Sequence, residues 1–157
     1  MFASRTRRGT ALTVVAVISA MTFYPSAAQA AAGVQQRRAA KAVAIAEAQL
    51  GDPYQYGATG PAAFDCSGLV QYAWRKAGVT LPRVTGRQYS TLRFKVSWAE
   101  VRPGDLMFFR SFGHVAMYVG GGRIIHAPRT GERVRLEKLN RSWLKATFSG
   151  AARPGAA

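Results

Sequence analysis

The chain carries one cysteine, Cys66, and two histidines, His114 and His126. A thiol and an imidazole are the parts of nucleophilic acyl transfer. The thiolate attacks a carbonyl carbon, the imidazole takes the thiol proton and later gives it to the leaving amine, and a third polar group orients the imidazole. His114 as base and His126 as orienting group is the expected assignment, although spacing alone permits the reverse. Such a site also needs an oxyanion hole. The candidate donors are the backbone N–H of Cys66 and a tyrosine hydroxyl from the loop "PYQYG" (Pro53–Gly57). Cysteine and histidine also bind zinc, but no two of these residues stand at close ligand spacing, so neither a metal nor another cofactor is expected.

Cys66 opens a stretch with helical periodicity, expected to run from near Asp65 to Gly78. Asp65 suits the N-cap, where its carboxylate accepts from a backbone N–H of the first turn. Cys66 then takes the first helical position, where unpaired N–H groups and the positive end of the helix dipole favour a thiolate. Leu69, Val70, Ala73 and Ala77 share its face, which places the thiol at the edge of the core. Gly68 has no Cβ, so another chain or a substrate can come close. Taken by itself, this segment is equally well an inert cysteine in a capped helix.

The histidines fall in "HVAMYVGGGRIIHAP" (His114–Pro128), which reads as a hairpin around Gly120–Gly122. With those three glycines as the loop, Val119 pairs with Arg123 and Ala116 faces His126. His114 and Ala116 share a face because the strand period is two. The two histidines are then diagonal neighbours on one face, within side-chain reach. A loop of even length would put them on opposite faces.

The remaining elements must hold these two pieces together. Ala31–Ala40 reads as a lead-in, and Lys41–Leu50 as a helix ended by Gly51 and Pro53. Val79–Ser90 is a connector with a short helix. After "VRPGD" (Val101–Asp105) the period shortens, and "LMFFR", "HVAMYVG", "RIIHAP" and "RVRLEKL" read as strands, with a last one near Ala146–Phe148. Helices followed by strands predict an α+β domain over 41–150, its antiparallel sheet packed on the cysteine-bearing helix, with a tail over 151–157.

Arg5, Arg7 and Arg8, the apolar run Ala11–Phe23 and the small-residue pattern "AQA" (Ala28–Ala30) have the form of a secretory signal peptide over residues 1–30. Outside the cytosol cysteines usually pair, so a lone one is an intermolecular link, a buried filler or a reactive thiol. The chain carries a net charge of +15. Removing the leader takes three arginines and no acidic residue, leaving +12. The basic residues are scattered rather than striped, which argues against nucleic acid and for anionic polymers of a cell envelope. A monomer without stable membrane association after cleavage is expected.

The stretches "DPYQYG", "FDCSGLVQYAW", "LPR", "RPGDLMFF", "HVAMYVG" and "IIHAP" occur in this order, and together they resemble the NlpC/P60 family of cell-wall peptidases. The resemblance covers roughly Lys41 to Phe148. It implies a papain-like α+β fold, a Cys-His-His site made of Cys66, His114 and His126, and hydrolysis of peptidoglycan stem peptides. The bond it implies joins γ-linked D-glutamate to a diamino acid, or is a related stem bond. By the same resemblance Tyr54 matches an active-site tyrosine, and Asp65 and Ser67 flank the nucleophile where substrate binds. Arg83 of "LPR" is expected to pair with a substrate carboxylate or with Asp65. Ala116 stands where many members have glycine. An amidase cutting next to muramic acid, an acyl transferase and a catalytically silent wall-binding protein are the alternatives on this scaffold.

Overall fold

The computed structural model describes Tyr24 and residues 26–156, so most of the expected leader lies outside the described residues. Helix α1 (Ala27–Glu47) starts at a capping box, in which Ser26 Oγ accepts from Gln29 N and Gln29 Oε1 accepts from Ser26 N at 2.8 Å. The expected lead-in over 31–40 is therefore helical, and the helix ends at Glu47 rather than Leu50. Alanine, glutamine and arginine are strong helix formers. No residue of α1 before Ala39 is buried, so its first half has no apolar stripe to reveal it.

Helix α2 (Cys66–Lys76) is capped by Asp65, and α3 (Thr85–Thr91) is the short helix of the connector. The strands are β1 (Lys95–Val96), β2 (Leu106–Phe109), β3 (His114–Gly120), β4 (Arg123–His126) and β5 (Arg135–Lys138). Helix α4 (Ser142–Thr147) and strand β6 (Phe148–Ala152) follow. The segment expected as a last strand near Ala146–Phe148 thus closes a helix, and β6 begins at its end. Ala151 and Ala152, expected in the tail, are buried in β6. Arg153 anchors that end by a bidentate pair with buried Asp105, at 2.8 Å from each carboxylate oxygen.

All neighbouring strands are antiparallel, in the order β1-β6-β2-β3-β4-β5. Against one face pack α1 and α2, through Ala42, Leu69, Val70 and Trp74 on Leu106, Phe108, Val115 and Ile125. The other face carries Met107, Phe109, Ala116 and Ile124, covered by Leu144 of α4. Strand β2 is therefore apolar at every position. Each fully buried side chain of this size contributes roughly 1.5–3 kcal/mol.

The hairpin between β3 and β4 differs from its expected form. Its turn is two residues, Gly121 and Gly122, both with positive φ (58° and 66°), which suits a tight hairpin turn. Gly120 pairs with Arg123, Tyr118 with Ile124 and Met117 with Ile125. Val119 is left without a partner in a bulge. The bulge supplies the odd residue that the loop lacks, so both histidines still share a face.

Candidate active site

Asp65 fixes the first turn of α2. Its Oδ1 accepts from the Gly68 N–H at 2.7 Å and its Oδ2 from the Gly57 N–H at 2.9 Å. Arg83 reaches the same carboxylate at 3.1 and 2.5 Å and bonds Ser67 Oγ at 2.8 Å. Of the two partners expected for Arg83, the structure shows Asp65. Burial opposes ionisation of Asp65, but Arg83 and the two backbone N–H groups outweigh it and hold the carboxyl below its usual range. Gly68 admits the chain's own loop rather than another molecule: a Cβ there would lie 2.1 Å from the Ala58 carbonyl oxygen. Gln88, which sequence reasoning missed, is fully buried and donates from Nε2 to the Ser67 and Pro82 carbonyls at 3.1 and 2.9 Å.

Cys66 is half-buried at the first position of this helix. Burial pushes its thiol up, and the negative charge of Asp65 adds to the effect. The backbone N–H groups of Val115, Ser67 and Cys66 itself only partly oppose this. The helix start therefore does not by itself yield a thiolate in the resting protein, because desolvation exceeds the help from the N–H groups. Tyr54 belongs to the same surroundings. Burial raises its hydroxyl pKa, and the charges of Cys66 and Asp65 add to the shift.

His114 and His126 are both buried, and His114 Nε2 lies 2.9 Å from His126 Nδ1. His126 Nε2 in turn lies 3.0 Å from Glu137 Oε2. Burial favours a protonated Glu137. The Trp143 indole N–H, at 3.1 Å from Oε1, the Arg135 guanidinium and the hydrogen bond from His126 prevail and hold it below its usual range. An ionised Glu137 only accepts, so His126 carries its proton on Nε2. Its Nδ1 lone pair then accepts from His114 Nε2–H. That leaves His114 Nδ1 as the unprotonated, basic nitrogen. His114 makes its side-chain hydrogen bond to His126 and none to the thiol, which rests beside the backbone N–H of Val115, the next residue in the chain. Both imidazoles are neutral at rest. Burial, His126 and Arg110 lower His114 to about 3, and burial and Arg135 lower His126 to about 4 against the pull of Glu137.

Glu137 was not legible as a site residue, since "RVRLEKL" reads as an ordinary exposed strand. Its register is the signal that finds it. Glu137 pairs with Ile124 and so lies on the same face as His126.

The turn that delivers β3 is unusual. Arg110, Ser111 and Phe112 all have positive φ, at 54°, 53° and 65°. For residues with a Cβ this costs roughly 1–2 kcal/mol each. The turn is held by Gly113 N donating to the Arg110 carbonyl at 2.9 Å and Arg110 N donating to the Thr147 carbonyl at 2.8 Å. The Arg110 guanidinium stands 5.0 Å from the centre of the Trp143 ring.

A lone cysteine at a helix start, packed against a strand that carries one of two hydrogen-bonded histidines, defines an α+β domain of papain-like layout. Residues 51–153 match the NlpC/P60 family, and the chain belongs to it. It is 48% identical over 92 residues to the probable endopeptidase p60 of Listeria seeligeri, covering 55% of this chain and 17% of that protein. It is 38% identical over 114 residues to the murein DD-endopeptidase MepH of Escherichia coli, covering 67% of this chain and 42% of the relative. An NlpC/P60 family protein from Bacillus cereus superposes with a TM-score of 0.69 at 34% identity, over 73% of this chain and 39% of that one. The chain thus spans less than half the length of these relatives.

Proposed function

We propose that this protein is a secreted peptidoglycan hydrolase, a cysteine endopeptidase that cuts stem peptides at the bond between γ-D-glutamate and a diamino acid. The observation that carries the reading is the ordered run Glu137–His126–His114, ending beside the residue against which Cys66 rests. His114 Nδ1 takes the Cys66 proton as Sγ attacks the carbonyl carbon, and the resulting imidazolium is stabilised through His126 by Glu137. The Cys66 N–H and the Tyr54 hydroxyl receive the developing oxyanion. His114 then protonates the leaving amine, and water hydrolyses the thioester. The names of the relatives support a wall endopeptidase, and that of MepH makes the D,D cross-link the competing bond. The leader-like N-terminus supports export, and the +12 charge that remains after its removal supports attraction to anionic wall polymers.

Digestion of purified walls, with mass analysis of the released muropeptides, tests this reading. The wild type is expected to release fragments ending in γ-D-glutamate, and Cys66→Ala none. Equal lysis by the variant overturns the nucleophile. Fragments cut next to muramic acid favour the amidase, and fragments cut at the cross-link favour the D,D bond.

A further inference from the structure

The histidine pair also forms one wall of a pocket of about 180 Å³, whose other walls include Arg110, Arg129, Glu132, Arg135 and Trp143. Its charged lining is three arginines against one glutamate. We propose that this pocket is a carboxylate subsite for the leaving-group half of the substrate, with Arg110 as its anchor. The inference rests on the endopeptidase reading and adds to it the chemistry of the residue released.

Direction comes from the reaction. The imidazole that returns a proton to the leaving amine must face that amine, so a pocket walled by His114 adjoins the leaving half. Charge comes from the arginines. Arg129 and Arg135 share Glu132, at 3.0 and 2.8 Å, and Arg135 also reaches Glu137 at 3.5 Å. Arg110 has no carboxylate partner among the described residues. It lines the same pocket as His114, the imidazole assigned as base. Stacking over Trp143 orders the guanidinium while leaving its N–H fork free to grip a carboxylate in two-point fashion. The left-handed turn at Arg110–Phe112 holds this side chain at the mouth of β3. A diamino acid with a second, free carboxylate on the leaving side fits this lining. One without it, such as lysine, brings a cation to a cationic wall.

Three synthetic peptides test the subsite: L-alanyl-γ-D-glutamyl-meso-diaminopimelate, the same peptide amidated on the side-chain carboxylate of the diaminopimelate, and the same peptide with D-isoglutamine. The wild type is expected to cut the first roughly tenfold faster, by kcat/KM, than the second, the size of one charge-assisted hydrogen bond. Arg110→Gln should bring that ratio close to one, while Arg123→Gln, on β4 away from the pocket, should keep it. A wild-type ratio near one, or an unchanged ratio in Arg110→Gln, overturns the proposal. Discrimination confined to the D-isoglutamine peptide moves the recognised carboxylate to the acyl side and overturns it as well. Titrating the peptides into Cys66→Ala reads the same preference as affinity. A preference for the free carboxylate that disappears with Arg110→Gln in this background upholds the subsite even if the wild type cuts neither peptide, in which case only the endopeptidase reading falls.

Discussion

Glu137 Oε2 lies 3.0 Å from His126 Nε2, and the opposite nitrogen of that ring lies 2.9 Å from His114. Through these two contacts a carboxylate on β5 determines which nitrogen of His114 is basic. Replacing Glu137 by Gln keeps the size and removes the charge. The expected result is a fall in kcat of about tenfold or more, since a hydrogen bond to a charged group contributes roughly 1.5–3 kcal/mol. KM should change little and the far-ultraviolet circular dichroism should be retained. Wild-type kcat in this variant would remove Glu137 from the relay.

The resting Cys66 is expected to be a thiol, because burial raises its pKa above the ordinary range and both imidazoles are neutral. Its alkylation by iodoacetamide should be slow at pH 7 and still be rising above pH 9, where an ordinary cysteine has mostly ionised. A rate already at its plateau by pH 6 would instead mean a preformed thiolate–imidazolium pair.

The histidines also tie stability to pH. In the unfolded chain each titrates near 6.5, whereas in the fold they lie at about 3 and about 4. Below pH 6.5 the unfolded state binds more protons than the folded one, so stability falls as pH falls, until the buried rings themselves titrate. Between pH 7 and 5 the melting temperature should drop by an amount equivalent to a few kcal/mol at most. His126→Gln should flatten that slope, and a wild-type melting temperature constant over this interval would refute the assignment.

The Asp65–Arg83 pair is expected to act on stability first. Asp65→Ala removes an N-cap and the acceptor of two backbone N–H groups, and should cost about 2 kcal/mol in urea unfolding. A double-mutant cycle with Arg83→Met should show a coupling of about 1 kcal/mol. No coupling, together with a raised KM in Arg83→Met, would make Arg83 a substrate contact instead.

Attachment to isolated walls, if it comes from the basic surface, should weaken steeply between 0.05 and 0.5 M sodium chloride, as screening shortens the reach of each charge to a few ångström. Sedimentation of Cys66→Ala with purified walls measures this without lysis. Retention at high salt would call for contacts other than charge.

Much of this was legible in the chain because the signals are local. Asp65 is a good cap for the helix that follows it, and the lone Cys66 stands at its first turn as expected. Strand parity places His114 and His126 on one face, and it held even though the three-glycine loop proved to be a two-residue turn with a bulge at Val119, since either arrangement adds one odd residue. What the sequence could not decide depends on contacts between distant elements. Burial under the fold raises the Cys66 thiol, against the thiolate expected from the helix start, and lowers both imidazoles. Arg83 reaches Asp65 because α2 and the segment before α3 meet there. Glu137 joined the histidines only because β5 lies beside β4 in the sheet. The sequence by itself determined which groups are candidates for the chemistry. The tertiary structure alone decided their protonation and order, because desolvation and hydrogen-bond direction belong to the packed assembly and not to any one segment.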